Sequence, residues 1–348
     1  MRLAGERALH RSAAPWSIGP DDWFDDVERL RTLFARVAGA DADGVAIVPA
    51  TSYGLAVAAA NIEAAAGDRV VVLAGDFPSN VQTWTAWAER GSAELVTVER
   101  RDDGWDEALL DSLDERVRVV SVPSVHWVDG SVVDLARVAH RAREAGALLV
   151  VDATQSLGAM PLDLAAVRPD YLVAAGYKWL LGPLGTSYLY VDPEHRDGRP
   201  LEENWANRAG AENFEDAAPR AGAYRHGARR FDAGQRSNFV LVPMAIAALE
   251  QVLEWGVEEI AAALEPVTAE VEDEARARGL DVTPGRLRAR HMLGIRLPTE
   301  AAGRWAAHNV HVEILLGSVM RVSPHLHVTD GDLENLFVAL RRSIASSG

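Results

Sequence analysis

The sequence has 348 residues, 48% hydrophobic and 25% charged, with a formal net charge of −16. This length and composition indicate a globular protein of roughly two domains and exclude a largely disordered chain. No apolar run approaches the roughly 20 residues that span a bilayer, and residues 1–16 lack the apolar segment of a signal peptide. The acidic charge argues against nucleic-acid and anionic-membrane partners. We therefore expect a cytoplasmic protein with no membrane segment.

Two residue counts narrow the possible chemistry. Cysteine is absent, which excludes a thiolate metal site and a thiol nucleophile in these residues. Four histidines in the C-terminal part fit no closed metal-binding motif, so no metal is expected: His308, His311, His325 and His327. Lys178 is the only lysine among 35 basic residues. Arginine replaces lysine at most surface positions but cannot attack a carbonyl as a neutral amine.

The predicted elements alternate between helices and strands. A helix is predicted first, over residues 21–39, and later helices over 81–90, 107–113 and 134–145. Short apolar runs between them predict strands at 45–48, 70–73, 94–98, 116–122, 147–151, 171–175 and 186–191. This alternation predicts an α/β fold with a largely parallel sheet covered on both faces.

The pattern changes in the C-terminal part. Residues 193–237 form a polar stretch rich in glycine and arginine, and one long helix is predicted over 243–266. A smaller unit follows, with strands at 291–297 and 320–323 and a closing helix at 330–344. We therefore expect an N-terminal segment and helix (1–39), a large domain (40–265) and a small α+β domain (266–348).

Three polar clusters follow predicted strands, where the ligands of parallel sheets bind. PATSYG (49–54) places Thr51 and Ser52 at the start of a helix, where they either form an anion site or simply cap the helix. In VVDATQS, Asp152 ends a buried strand and needs a cationic partner, which could be a protonated pyridine nitrogen or an arginine.

The third cluster is YLVAAGYKWLLGPLG, which carries Lys178 just past a strand end. Its apolar neighbours would desolvate the amine and lower its pKa, as Schiff-base chemistry requires. A phosphate site, a carboxylate for a pyridinium and an imine-forming lysine are the three contacts that pyridoxal 5′-phosphate (PLP) needs. The three clusters together indicate this cofactor.

VDATQSLG and AGYKWLLGPLG resemble the class V aminotransferase family, which includes cysteine desulfurases, kynureninases and isopenicillin N epimerase-like proteins. The resemblance implies the PLP-dependent transferase fold of type I. It also implies that Lys178 forms the Schiff base, Asp152 pairs with the pyridinium nitrogen and Gln155 contacts the phenolic oxygen. Thr51 and Ser52 match the phosphate-binding turn of the family.

The same resemblance assigns four more positions. Tyr177 is similar to a kynureninase tyrosine that touches the phosphate, and Phe77 in DFPSN lies where the ring that stacks on the cofactor is expected. Arg321, in RVSPHLHVTDGDLENL, matches the arginine that binds the substrate carboxylate. Gln235 replaces a threonine that reaches the phosphate of a neighbouring subunit, which implies a homodimer. His327 lies near the position of a family tyrosine.

His126 follows the strand at 116–122 and could move protons at the cofactor. The alternative is a hydrogen-bonded structural histidine, and Ser124 beside it is a possible polar contact. The sequence thus leaves the role of His126 open.

We predict a PLP-dependent enzyme acting on an amino acid, most simply an aminotransferase. A carbon–sulfur or other β-elimination lyase is the first alternative, and an epimerase or a kynureninase-like hydrolase is less favoured. Without a cysteine, a desulfurase that forms a persulfide on its own chain is not expected. Gln235 replaces a family threonine, and the N-terminal strand and small-residue loop usual in the family are not recognisable before residue 20. These departures leave open a subunit that binds the cofactor but does not catalyse a reaction. An α/β-hydrolase is disfavoured because no G-x-S-x-G motif is present.

Overall fold

A computed structural model describes residues 1–214, 222–298 and 310–345. Its ten described helices are α1 (Arg2–Ser12), α2 (Asp25–Ala38), α3 (Thr51–Asn61), α4 (Pro78–Gly91), α5 (Asp106–Ser112), α6 (Leu135–Ala145), α7 (Leu164–Val167), α8 (Leu241–Trp255), α9 (Val257–Arg276) and α10 (Asp330–Ala345). None of these described helices combines the length and the hydropathy that a membrane-crossing helix needs.

Eleven strands are described: β1 (Val45–Val48), β2 (Arg69–Leu73), β3 (Glu94–Val98), β4 (Val117–Pro123), β5 (Leu148–Asp152), β6 (Tyr171–Ala175), β7 (Ser187–Val191), β8 (Asp281–Val282), β9 (Leu293–Arg296), β10 (Glu313–Leu315) and β11 (Val319–Val322). The first seven form one sheet in the order β1-β7-β6-β5-β4-β2-β3. In this sheet β7 alone runs in the direction opposite to the other six strands. The predicted α/β class with a mostly parallel sheet is confirmed.

The large sheet is buried on both faces, which explains its continuous apolar strands. In β2, Val71 and Leu73 enter the core beneath α2, α6 and α8, while Val70 and Val72 enter the core beneath α3 and α4. Side chains alternate between the two faces of a strand, so each strand supplies both cores. The edge of the sheet at the strand ends is left for polar residues.

A second sheet, entirely antiparallel in the order β10-β11-β9-β8, belongs to the smaller C-terminal unit. Its core is formed by residues of α9, α10 and the strands, including Val271, Ile295, Met320 and Phe337. Such an α+β unit was predicted here, but the domain boundaries at 39/40 and 265/266 remain predictions. His308, one of the four histidines considered above, lies outside the described residues.

One local prediction was wrong, and one predicted helix begins later than expected. The long helix predicted over 243–266 is two helices, α8 and α9, because Gly256 between them has φ +82°, which a helix interior cannot accommodate. The helix predicted over 21–39 begins as a 3₁₀ turn at Asp21–Trp23, and the α-helix starts only at Asp25. Helix α1 was not predicted.

One buried ion pair ties the N-terminal helices to the large sheet. Arg31 on α2 and Asp232 have fully buried side chains, and the Asp232 carboxylate accepts from Arg31 Nη2 at 2.7 Å. The same carboxylate accepts from the backbone of Ile47 in β1 at 2.7 Å and lies 2.9 Å from Arg236 Nε. Removing one member of such a network leaves a buried charge without its partner.

Asp232→Asn is therefore expected to lower the free energy of unfolding by about 3–5 kcal/mol, because Arg31 keeps its charge and stays buried. Denaturant unfolding measured by circular dichroism checks this. Glu250→Gln, which removes an exposed pair with Arg29, is the matched control and should cost about 1 kcal/mol or less. If Asp232→Asn lowers the free energy of unfolding no more than Glu250→Gln does, the stabilising role of the buried ion pair is contradicted.

Candidate active site

Strands β1, β2, β4, β5 and β6 run parallel, so their carboxyl ends meet at one edge of the sheet. A cavity opens at this edge, between the two sheets. Its lining includes most of the candidate site residues from the sequence, namely Thr51, Phe77, Asp152, Gln155, Tyr177, Lys178 and Arg321. The other lining residues are Asp76, Pro123, Val125, Trp127, Thr154, Ala175 and Glu313. The fold therefore brings the three polar clusters of the sequence together.

Lys178 lies in the turn that follows β6. The turn is closed by hydrogen bonds from the Gly182 amide to Gly176 O (2.7 Å) and from the Leu181 amide to Lys178 O (3.1 Å). Burial lowers the pKa of the Lys178 amine, and so does the charge of Arg321, while Glu313 opposes them. No described residue accepts a hydrogen bond from Nζ, and the amine lies 5.4 Å above the Tyr177 ring. A lowered pKa favours the neutral, nucleophilic amine.

Asp152 closes β5 and faces the same cavity with 9% of its surface exposed. Its Oδ1 accepts from the Thr154 amide at 2.9 Å, and no cation forms an ion pair with it among the described residues. Burial raises the pKa of Asp152, and the hydrogen bonds from Thr154 oppose that rise. A buried carboxylate without a cation is unfavourable, which makes this the obvious place for a positively charged ligand atom.

Gln155 is held so that its amide can donate into the cavity. Trp179 Nε1 can only donate, and it lies 3.2 Å from Gln155 Oε1, which fixes the oxygen on that side. The backbone oxygen of Gln155 accepts from His291 Nε2 at 2.7 Å. Burial lowers the pKa of His291 to about 4, so that the ring is neutral near pH 7. No described residue accepts from the Gln155 amide N–H groups.

The two loops that carry Asp152 and Lys178 interlock at one glycine. Gly158 has φ +100°, and a Cβ there would lie 2.4 Å from Trp179 O. Any side chain at position 158 would therefore push the lysine loop away from the carboxylate. The final glycine of VDATQSLG is thus required by packing.

Thr51 begins α3 directly behind β1. The N-cap residue is Ala50, whose side chain cannot cap, so neither Thr51 nor Ser52 serves as a simple helix cap. The amides of Tyr53 and Gly54 donate to Ala50 O, which leaves the two preceding amides with no acceptor among the described residues. Ser52 is exposed and does not line the cavity.

Two aromatic side chains in the cavity lining, Phe77 and Trp127, contact each other. Phe77 is 40% exposed and meets the Trp127 ring edge to face at 5.4 Å. Trp127 Nε1 donates to Gly75 O at 2.9 Å, which anchors the indole. The Tyr177 side chain is 43% exposed at the mouth of the same cavity.

Asp76, the first residue of the DFPSN segment, was not predicted from the sequence to be a site residue. Its carboxylate accepts from the Phe77 amide at 2.6 Å and from Asn80 Nδ2 at 2.7 Å. Burial raises the pKa of Asp76 to about 6, and the charge of Asp152 adds to this rise, while the hydrogen bonds and His126 oppose it. Nothing in the sequence marked this aspartate, because its burial and its proximity to Asp152 and His126 arise only from the fold.

Arg321 reaches the cavity from β11 of the second sheet. Its Nη1 donates to Trp127 O at 2.8 Å, and its Nη2 pairs with the carboxylate of Glu313 on β10. Glu313 and Trp127 were both missed from the sequence. Glu313 follows an irregular stretch, and no sequence pattern places it opposite Arg321.

Besides Ser52, several residues singled out from the sequence do not line this cavity. His126 is 4% exposed, lies 5.2 Å from the Trp105 ring, and has its Nδ1 3.4 Å from Asp129 Oδ1. Ser124 is buried and shares a 2.6 Å hydrogen bond with Ser156. Gln235 is exposed, outside the cavity wall.

His327 also lies outside the cavity. It is exposed and stacks on His325, which in turn stacks on Trp179. Among the described residues, no group of three or more side chains is arranged to hold a metal ion.

The groups left unpaired in the cavity fit PLP. Within the described ranges, Asp152 has no cationic partner and Lys178 Nζ has no acceptor. The Gln155 amide N–H groups and the first two amides of α3, at Thr51 and Ser52, likewise have no acceptor there. A pyridinium nitrogen, an aldehyde, a phenolic oxygen and a phosphate are the complementary groups of this cofactor. The residues present therefore fit the cofactor that the sequence indicated.

Comparison with known proteins gives the same family. The model of the family "Aminotransferase class-V" matches residues 21–281. The chain is 30% identical over 331 residues to the uncharacterized aminotransferase YcbU of Bacillus subtilis, covering 90% of this chain and 84% of that protein. It is 32% identical over 250 residues to isopenicillin N epimerase of Amycolatopsis lactamdurans (68% and 62%). It is 33% identical over 172 residues to a probable cysteine desulfurase of Methanothermobacter thermautotrophicus (48% and 42%).

Solved structures share the fold at low identity. The cystine C–S lyase C-DES, solved with its product cysteine persulfide, superposes with a TM-score of 0.83 at 18% identity, covering 97% of this chain and 93% of that one. A C-DES variant with glycine covalently linked to its PLP cofactor gives a TM-score of 0.85 at 17% identity, covering 97% and 92%.

The chain belongs to the class V aminotransferase family of PLP-dependent enzymes. Pyridoxal 5′-phosphate is its cofactor, as the sequence predicted, and the fold is that of fold-type-I enzymes. The chain spans less than two thirds of the epimerase and of the desulfurase named above. The roles of the individual site residues remain predictions.

Asp152→Asn is expected to have opposite effects on the cofactor-free and the PLP-bound protein. Without PLP, the buried ionised carboxylate of Asp152 destabilises the folded protein. The melting temperature of the variant should therefore be about 1–3 °C higher than that of the wild type at pH 7. This advantage should shrink at acidic pH, because the raised pKa lets the wild-type carboxyl become neutral there. With saturating PLP the wild type should gain more in melting temperature, because asparagine cannot pair with a pyridinium.

Thermal melts with and without PLP check this prediction. The exposed Asp103→Asn is the matched control and should shift neither melt. If PLP raises the melting temperature of Asp152→Asn as much as that of the wild type, the predicted pairing of Asp152 with the pyridinium nitrogen is contradicted.

Proposed function

We propose that this protein is an aminotransferase that exchanges the amino group of a small α-amino acid through PLP bound at Lys178. The observation that carries the proposal is the placement of Lys178, Asp152 and Arg321 around one cavity. The similarity to YcbU, which extends over 90% of the chain, supports transamination over the other reactions of the family.

Each residue has a distinct task in this proposal. PLP, when bound, withdraws electron density from the Cα of the amino acid. Asp152 stabilises a positive charge on the pyridine nitrogen, because its buried carboxylate forms an ion pair with the protonated nitrogen. Arg321 binds the substrate carboxylate through the two parallel N–H bonds that a guanidinium offers.

Lys178 has two tasks. Its amine holds the cofactor before the substrate arrives, and afterwards it is free to move a proton from the Cα. Burial favours the neutral amine that such proton transfer needs, because it lowers the pKa of Lys178. Gln155 and the amides at the start of α3 hold the cofactor in register with this amine.

A β-elimination lyase that cleaves a carbon–sulfur bond is the second candidate. C-DES is a cystine C–S lyase, and the chain matches its fold over nearly the whole length. We also propose that the protein is not a desulfurase that forms a persulfide on its own chain, since these 348 residues contain no cysteine. Elimination from cystine would need no thiol of the protein.

We further propose a cytoplasmic homodimer with the active site near the subunit interface. Phe77 and Tyr177 line the cavity and are exposed, and Leu184, six residues after Lys178 in the chain, is 71% exposed. Exposed apolar surface around a site favours a covering partner. Gln235 would then face the neighbouring subunit.

Product analysis separates the two reactions. The PLP-loaded protein is incubated with single amino acids and with cystine, and oxoacid and ammonia are measured. Transamination predicts oxoacid without ammonia, and continued turnover only after a second oxoacid is added. A lyase would instead release pyruvate and ammonia in equal amounts from cystine.

Lys178→Ala is the control and should lose at least about 10²-fold in rate, because general acid–base catalysis contributes that much or more. Turnover that survives this substitution would contradict the role of Lys178. A wild type that binds PLP but converts none of the amino acids would instead support the cofactor-binding subunit without turnover.

A further inference from the structure

The arginine expected to bind the substrate carboxylate already has a carboxylate partner. Glu313 on β10 and Arg321 on β11 lie directly opposite each other in the antiparallel ladder, and their side chains form an ion pair. Both line the cavity that contains Lys178. The pair is therefore part of the substrate site and not a remote surface contact.

Glu313 occupies the nitrogen of Arg321 that a two-pronged carboxylate needs. Nη1 donates to Trp127 O at 2.8 Å, and Nη2 donates to Glu313. A carboxylate bound in two-pronged fashion accepts from two adjacent nitrogens of the guanidinium, and each such pair of nitrogens includes Nη2. Two carboxylates on Nη2 would repel each other, so a substrate carboxylate competes with Glu313.

The two partners are unequally buried, which decides which one can leave. The Arg321 side chain is 11% exposed, whereas that of Glu313 is 63% exposed. An exposed carboxylate recovers its hydration when it turns away, so the ion pair is weak and exchangeable. Arg321 stays in place because Trp127 holds it.

Exchange of one carboxylate for another also preserves the charge around Lys178. Arg321 favours the neutral amine, and Glu313 favours the charged one. A substrate carboxylate in place of Glu313 supplies the same negative charge at the same guanidinium. The environment of the amine is therefore similar before and after the substrate binds.

We propose that Glu313 competes with the substrate carboxylate for Arg321. This competition lowers the affinity of the site for every carboxylate by the same factor. A ligand that also places an amino group at the cofactor binds tightly enough to displace Glu313, whereas a plain carboxylate does so only at a higher concentration. This inference rests on the proposed role of Arg321 as the carboxylate site.

Calorimetric titration of the PLP-loaded protein with propionate, a carboxylate without an amino group, tests the inference. Glu313→Gln should bind propionate about two- to five-fold more tightly than the wild type, the range expected for loss of an exposed ion pair. Glu313→Ala, which removes the carboxylate without leaving an amide, should show the same direction. Arg321→Gln should weaken propionate binding at least about ten-fold.

Glu94→Gln is the matched control. Glu94 is 53% exposed and pairs with Arg69 on the large sheet, away from the cavity, so its substitution should leave propionate binding unchanged. Melting temperature and the visible absorbance of bound PLP verify that each variant is folded and loaded.

The outcomes separate the inference from its premise. If Arg321→Gln weakens propionate binding but neither Glu313 variant tightens it, Glu313 does not compete for Arg321. The inference is then overturned, while the proposed role of Arg321 stands. If Arg321→Gln binds propionate as the wild type does, Arg321 is not the carboxylate site, and that part of the proposed function falls as well.

Discussion

The site depends on one buried carboxylate with which no described residue forms an ion pair. Asp152 ends a strand in the middle of the large sheet and accepts a backbone hydrogen bond at 2.9 Å. A carboxylate in this position costs free energy unless a positive charge arrives. In the proposed function the cofactor supplies that charge, so cofactor binding and stability would be coupled through this residue. Asp76, a second buried carboxyl in the same cavity, increases the demand for positive charge.

The sheet positions the reacting groups, and the loops add little freedom. Asp152 and Lys178 follow neighbouring parallel strands, and their loops are locked together where Gly158 packs against Trp179 O. Trp179 also fixes the amide of Gln155. In the proposed function the large sheet therefore sets the cofactor position. Arg321, the proposed contact of the substrate carboxylate, comes from the second sheet, so the proposed cofactor and substrate contacts lie in different parts of the fold.

Much of this arrangement could be predicted from the sequence. The apolar strands are readable because burial on both faces leaves continuous runs of Val, Leu and Ile, and the polar residues after them mark the strand ends. The break at Gly256 was missed because the apolar periodicity continues on both sides of it. Glu313 and Asp76 were missed for another reason. Their importance comes from neighbours that the fold alone brings close, Arg321 and Asp152, and no local pattern records such proximity.

The visible absorbance of the purified protein with added PLP, compared between the wild type and Lys178→Arg, tests the central claim most directly. Arginine keeps the positive charge and much of the length of lysine but cannot form a Schiff base. We predict a yellow band in the wild type that reducing agents such as borohydride fix to the protein, and no such band in Lys178→Arg. A wild type that stays colourless, or a variant that shows the same reducible band, would contradict the assignment of Lys178 and with it the proposed function.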